Sequence, residues 1–89
     1  MKDEIMTYFV ELLKSKKTHK IEVYKYNINC FIGDYEYQLR YISLLKGDMV
    51  RFMFVDDFGQ DEWFDGKLDI DSLAQIADEI QSKYGDPTY

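Results

Sequence analysis

The 89-residue chain contains only one cysteine, one histidine and one proline. A single cysteine, Cys30, excludes an intramolecular disulfide, which fits a reducing cytoplasm better than secretion. We expect its thiol to be buried in the core. His19 has no neighbouring serine or cysteine pattern that would indicate a nucleophile and its base. The sequence therefore predicts a cytoplasmic protein that is not an enzyme.

Long apolar runs, glycine-rich phosphate loops and zinc-ligand clusters are also missing. No segment has the length and hydropathy of a signal peptide or a membrane span, and the five glycines are scattered at turns. Residues 61–72 partly follow a calcium-loop pattern, but Trp63 and Ser72 occupy positions where ligands belong. We therefore expect no metal, no cofactor and no membrane partner.

The chain is long enough for one small domain. Linkers, repeats and low-complexity stretches are absent, so we predict a single domain over residues 1–89 with a flexible tail at 86–89. The chain has fifteen aromatic residues, eight of them tyrosine. Aromatic rings bury much area per residue, so they can stabilise a small domain without disulfides or a structural metal.

Apolar spacing predicts a first helix from Lys2 to Ser15, and Gly33-Asp34 is a two-residue hairpin signal. Counting outward from that turn pairs Ile28 with Leu39. A second two-residue turn at Lys46-Gly47 would then place Phe54 opposite Leu39 and Phe52 opposite Tyr41 on one apolar face.

A last helix is predicted from Ile70 to Tyr84, with Asp71 or Ser72 as N-cap and Gly85 and Pro87 as its stop. The predicted fold class is α+β. Its order is α-β-β-β-α, with a three-stranded antiparallel meander packed by an N-terminal and a C-terminal helix.

That order resembles the double-stranded RNA-binding domain in topology, without a matching motif. Such domains reach phosphates from basic residues near the start of the second helix, whereas residues 69–75 hold no lysine or arginine. We therefore expect no direct nucleic-acid binding. In size, acidity and element order the chain also resembles small phage anti-CRISPR proteins that occlude a DNA-binding cleft, again without a shared motif.

The charge that the chain does carry is unevenly divided. Residues 1–51 hold nine Lys/Arg and seven Asp/Glu, whereas residues 52–89 hold two and ten. The surplus begins in an acidic-aromatic segment that we expect to be a loop before the last helix. Its candidate partner-binding residues are Asp56, Asp57, Asp61, Glu62, Trp63, Phe64 and Asp65.

Carboxylates along a rigid loop can engage the same Lys/Arg groups as phosphates do. The first hypothesis is therefore a small acidic inhibitor or interaction protein that binds a basic partner, such as a nucleic-acid-binding protein, by nucleic-acid mimicry, with Trp63 and Phe64 as anchors. The competing interpretation is a solvated acidic loop with Trp63 in the core.

The alternative function uses the second face of the predicted meander, which mixes apolar and charged residues. It would be a structural or regulatory module, monomer or homodimer, that self-associates or binds one protein through this face. Its candidate residues are Arg40, Ile42, Leu44, Met49, Arg51 and Met53. Such a face is either covered by another part of the chain or a partner surface, and the sequence leaves both open.

Overall fold

The computed structural model describes residues 2–16 and 18–84. The elements are α1 (Lys2–Lys14), β1 (Lys20–Val23), β2 (Ile28–Ile32), β3 (Tyr35–Leu44), β4 (Met49–Val55), β5 (Asp61–Lys67) and α2 (Ile70–Tyr84). The strands form one antiparallel sheet in chain order, from β1 to β5. This confirms the α+β class, while the expected three-stranded meander is only the middle of a five-stranded one. The double-stranded RNA-binding order is therefore not matched. Residues 85–89, with the expected helix stop and the tail, lie outside the described range.

Both helices pack on one face of the sheet, which we call the inner face. Its side chains include Ile28, Leu39, Val50, Phe52 and Phe54, all at most 1% exposed. Phe9 of α1 meets Phe52 edge-on with the ring centroids 4.8 Å apart. Burial of this apolar area is the main favourable term in folding such a domain. No described element covers the opposite, outer face.

The β2–β3 hairpin has the register that Gly33-Asp34 predicts, with Ile32 opposite Tyr35 and Ile28 opposite Leu39. Gly33 takes a φ of +60°, which glycine adopts without steric cost. The strand before this turn begins only at Ile28, because the chain reverses at residues 24–27. The Tyr24 N–H donates to the Asn27 carbonyl at 2.8 Å, and residues 20–23 form the separate strand β1.

The β3–β4 pairing contains a bulge that the sequence did not reveal. The register runs from Arg40 opposite Met53 directly to Ser43 opposite Arg51, and Tyr41 has a φ of +56°. The predicted pairing of Leu39 with Phe54 is confirmed, but that of Tyr41 with Phe52 is wrong. The extra residue compensates for a β3–β4 turn that is one residue longer than predicted, because Leu45 rather than Leu44 bonds to Met49. As a result Ile42 turns inward, 5% exposed, and Tyr41 turns outward, 55% exposed.

The start of α2 differs from the predicted cap. The Asp69 carboxylate accepts from the Ser72 N–H at 2.8 Å and from the Ser72 hydroxyl at 3.1 Å. Asp69 is thus the N-cap, and Asp71 lies in the first turn, where its charge complements the helix dipole. Behind this cap, Gly66 of β5 lets the helix approach closely, because a Cβ there would collide with Cδ1 of Ile76.

Within the described ranges, no helix is both long and apolar enough to cross a membrane.

Candidate functional site

The predicted acidic-aromatic loop is in fact a hairpin turn followed by strand β5. Residues 56–60 form the turn, and β5 pairs with β4 from Asp61 to Lys67. Its alternating side chains divide the candidates between two faces. Asp61, Trp63 and Asp65 lie on the outer face, whereas Glu62 and Phe64 lie on the inner face beside α2. The segment therefore cannot present all its candidate residues to one partner.

Phe64 lies on the inner face and is partly buried. Its ring stacks on Phe52 with centroids 5.6 Å apart and meets Phe54 edge-on at 6.4 Å. It packs against the core cluster. The prediction that Phe64 and Trp63 anchor a partner together is wrong in its geometry, because adjacent residues of a strand point to opposite faces.

Trp63 is 52% exposed, so the interpretation that places it in the core is also wrong. It lies opposite Met53 of β4, and its ring is 6.2 Å from that of Tyr41, tilted by 30°. We call Tyr41, Met53 and Trp63 the aromatic patch. Tyr41 reaches it only because of the bulge, and a bulky residue at positive φ is unusual. Bulges often redirect a side chain at functional sites.

The alternative candidates on the mixed face are also divided. Arg40, Met49, Arg51 and Met53 lie on the outer face, as predicted. Ile42 and Leu44 turn inward after the bulge, where Ile42 joins the core cluster and Leu44 packs against it. The outer face is therefore open but less aliphatic than the sequence indicated, and its apolar centre is aromatic.

Two of the candidate carboxylates form ion pairs within the molecule. Asp65 accepts two hydrogen bonds from Arg51, at 2.7 and 2.9 Å, and these lower the pKa of Asp65 and raise that of Arg51. Glu62 accepts from Lys83 at 2.5 Å and from the Tyr84 hydroxyl, which lowers the pKa of Glu62. These two acids stabilise the contacts of β5 with β4 and α2.

The other acids gather at the end of the sheet where two turns lie side by side. The Glu36 N–H donates to Asp57 at 3.1 Å, which joins the start of β3 to the 56–60 turn. Asp56 accepts from the backbone N–H groups of Phe58 and Gln60, at 3.0 and 2.8 Å, so it shapes that turn. We call this region the acidic end. Its residues are Asp34, Glu36, Asp56, Asp57 and Asp61.

The acidic end differs from Glu62 and Asp65 in its ion pairing. In the part of the chain that the structure describes, none of its five carboxylates lies in an ion pair with a lysine or arginine. Phe58 stands at its tip, 81% exposed, with its ring 6.4 Å from that of Tyr35. Asp34, Glu36 and Phe58 were not among the candidate residues. The predicted hairpin register, which brings residue 36 beside residue 57, could have identified Asp34 and Glu36.

Neither Cys30 nor His19 lies in a catalytic arrangement among the described residues. Cys30 is 1% exposed, and burial raises the pKa of its thiol to about 12, so it is a core residue as predicted. His19 is exposed beside β2, where its backbone N–H donates to the Phe31 carbonyl at 3.0 Å. Among the described residues, no group of three His, Cys, Asp or Glu side chains could hold a metal ion.

No family model, curated protein or solved structure matches this chain. Any functional assignment therefore depends on the geometry described above.

Proposed function

We propose that the protein is a non-enzymatic interaction module that binds a basic protein partner on the outer face of its sheet, between the aromatic patch and the acidic end. The observation that carries the proposal is the exposed Tyr41–Trp63 pair, which is displayed by a bulge with a residue at positive φ. Holding a tyrosine in that conformation costs about 1–3 kcal/mol. The outward position of its ring does not repay that cost through burial.

The chemistry of the partner follows from the charges around the patch. Asp61 lies on the same strand face as Trp63 and leads into the acidic end, while Asp65 on the other side is neutralised by Arg51. An apolar centre beside the carboxylates of the acidic end complements a surface with an apolar anchor and a basic rim. Aromatic residues at the centre of an interface commonly carry most of the binding energy, and rim charges increase specificity and association rate.

A calorimetric titration with a synthetic peptide in which arginine alternates with leucine tests this proposal. We expect Trp63→Ala to weaken binding by about 30-fold or more, as loss of an interface hot spot does. Asp61→Lys should weaken it by about three- to tenfold and reduce its salt dependence. Glu79→Lys on α2 is the matched control, because it changes the net charge equally on the helix side of the molecule.

Equal losses for Asp61→Lys and Glu79→Lys would show that net charge alone attracts the peptide, and would refute the proposal. Sedimentation is the second readout. A stable micromolar dimer that Trp63→Ala dissociates would make a second copy of the chain the occupant of the face, contrary to the proposed basic partner.

The narrower form of the proposal is inhibition by nucleic-acid mimicry, as in the phage anti-CRISPR proteins that the chain resembles in size and acidity. The acidic end favours it, because its five carboxylates have no cation partner among the residues that the structure describes. In this form the protein should release the arginine–leucine peptide from duplex DNA, and Asp61→Lys should release less of it than Glu79→Lys. If the protein binds the free peptide but does not release it from DNA, the docking proposal is supported and nucleic-acid mimicry is refuted.

A further inference from the structure

A second surface feature lies where the 24–27 turn meets the bulge in β3. The Ile42 N–H donates to the Tyr26 carbonyl at 3.4 Å, which holds the turn against residues 40–43. Between these two segments lies an open depression of about 590 Å³. Its volume is within the range of small-molecule sites. We call it the basic depression.

The charge of the basic depression is opposite to that of the whole chain. The chain has 11 Lys/Arg and 17 Asp/Glu, yet among the described residues Lys25 and Arg40 line the depression and no carboxylate does. Glu22 accepts from the hydroxyl of the lining residue Tyr24 at 3.4 Å, and its carboxylate lies 3.6 Å from the Lys20 ammonium. Among the described residues, neither Lys25 nor Arg40 has an ion-pair partner.

Arg40 also carries an unused hydrogen-bond donor. Its Nε is buried and has no partner within the described ranges, and a buried donor without an acceptor is destabilising. The guanidinium carbon lies 5.4 Å from the centre of the Tyr41 ring, a cation–π contact that holds the group in place. An anion in the depression would pair with the charged guanidinium, and arginine is suited to bind it through two parallel hydrogen bonds.

Aromatic rings surround these two cations. Tyr24, Tyr26 and Tyr41 line the depression and are 54%, 44% and 55% exposed. The Lys25 ammonium lies 5.3 Å from the centre of the Tyr26 ring. Exposed tyrosines beside cations form a stacking surface for a flat ring. The bulge at Tyr41 therefore serves two neighbouring surfaces, with Trp63 on one side and Arg40 on the other.

We propose that the basic depression binds a small anion that carries a flat ring, with Arg40 and Lys25 holding the anion and the tyrosines stacking on the ring. The net charge of −6 restricts the ligand to a small one, because the acidic surface would repel the remaining phosphates of a nucleic-acid strand. A nucleoside monophosphate is the simplest molecule with this chemistry. This site shares Tyr41 with the aromatic patch, but it requires neither Trp63 nor the acidic end.

A titration of the full chain with adenosine monophosphate, followed by amide shifts in two-dimensional NMR, tests the proposal. We expect saturable shifts confined to residues 24–27 and 40–43. Adenosine and inorganic phosphate should each bind at least about tenfold more weakly than the nucleotide, because each lacks one half of the recognition. Equal binding of phosphate alone would overturn the role of the ring. Tighter binding of a single-stranded dodecanucleotide would overturn the restriction to a small ligand.

Arg40→Gln should weaken nucleotide binding by about tenfold or more, because it removes the charged donor. Arg51→Gln is the matched control, since it removes the same charge from the same face outside the depression, and it should leave binding unchanged. Lys25→Gln in the exposed turn gives a second measurement if Arg40→Gln disturbs the sheet, and it should weaken binding severalfold. Equal effects of Arg51→Gln and Lys25→Gln would refute the site.

Discussion

Replacement of Gly66 by alanine should destabilise the protein although alanine suits a strand better than glycine. An ideal Cβ at residue 66 would fall within 3.0 Å of Cδ1 of Ile76, closer than real Cβ atoms come, while Cγ1 of Ile76 would lie at 3.6 Å, an ordinary contact. Ile76 is 7% exposed, so a methyl group at residue 66 would force its buried side chain to shift. Overpacking of this kind costs about 1–3 kcal/mol, which exceeds the roughly 0.5–1 kcal/mol that alanine gains over glycine in a strand.

The same geometry predicts that the effect changes sign when one methyl group is removed. Ile76→Val deletes Cδ1 and should itself cost about 0.5–1.5 kcal/mol. In that background Gly66→Ala no longer collides with Cδ1, so it should stabilise by about 0.5–1 kcal/mol.

Thermal unfolding of the four proteins in this cycle measures both effects, because 1 kcal/mol shifts Tm by about 4–8 °C in a domain of this size. Additive effects of the two substitutions would refute the close approach of α2 to β5 at this point.

Three further predictions test the bulge, the helix cap and the acid response. Tyr41→Asn should change stability by at most about 1 kcal/mol, because asparagine tolerates positive φ. Ile42→Asn should cost more than about 2 kcal/mol in chemical denaturation, because Ile42 is buried. A larger loss for Tyr41→Asn than for Ile42→Asn would place Tyr41 in the core. Asp69→Ala should cost about 1 kcal/mol as the N-cap is lost, and Asp71→Ala should cost clearly less in the same assay. The pKa of Glu62 is lowered in the folded protein, so its contribution is present above its ordinary pKa of 4.5 and is lost as the pH falls through the folded value. Glu62→Gln should therefore flatten the decline in stability below pH 4.5, and an unchanged acid profile would contradict the Glu62–Lys83 and Glu62–Tyr84 contacts.

The parts of the fold that follow from local chemistry were predictable from the sequence. Gly33-Asp34 fixes a two-residue turn, and the apolar residues on both sides of it leave one register for β2 and β3. The bounds of α2 were also correct, because apolar spacing and acidic residues at its start mark them. In both cases a short stretch of chain holds all the information that is needed.

Strands β1 and β5 were not predictable in the same way. The 24–27 turn contains no glycine or proline, so nothing marked the end of β1. In β5, Asp61, Asp65 and Gly66 are poor strand formers, and pairing with β4 overrides that preference. The Arg51–Asp65 contact and the close approach of Gly66 to Ile76 become visible only once both elements are in place.

The bulge explains most of the errors at the candidate site. Strict alternation placed Tyr41 in the core and Ile42 and Leu44 on the outer face, and one extra residue in β3 reverses these assignments. The sequence did not reveal the ion pairs of Glu62 and Asp65, because the cations that pair with these two acids are distant in sequence. Of the seven acids in the segment 56–71, Glu62 and Asp65 form ion pairs and Asp69 caps α2, whereas Asp56, Asp57 and Asp61 join Asp34 and Glu36 at the acidic end.

The emission of Trp63 during titration with the arginine–leucine peptide tests the central claim most directly, because Trp63 is the only tryptophan in the chain and is half-exposed. Docking on the outer face should shift its emission to shorter wavelength and protect it from acrylamide quenching, in the wild type and in Glu79→Lys at equal saturation. Saturable peptide binding, confirmed by calorimetry, that leaves the emission and quenching of Trp63 unchanged would place the peptide elsewhere and contradict the account.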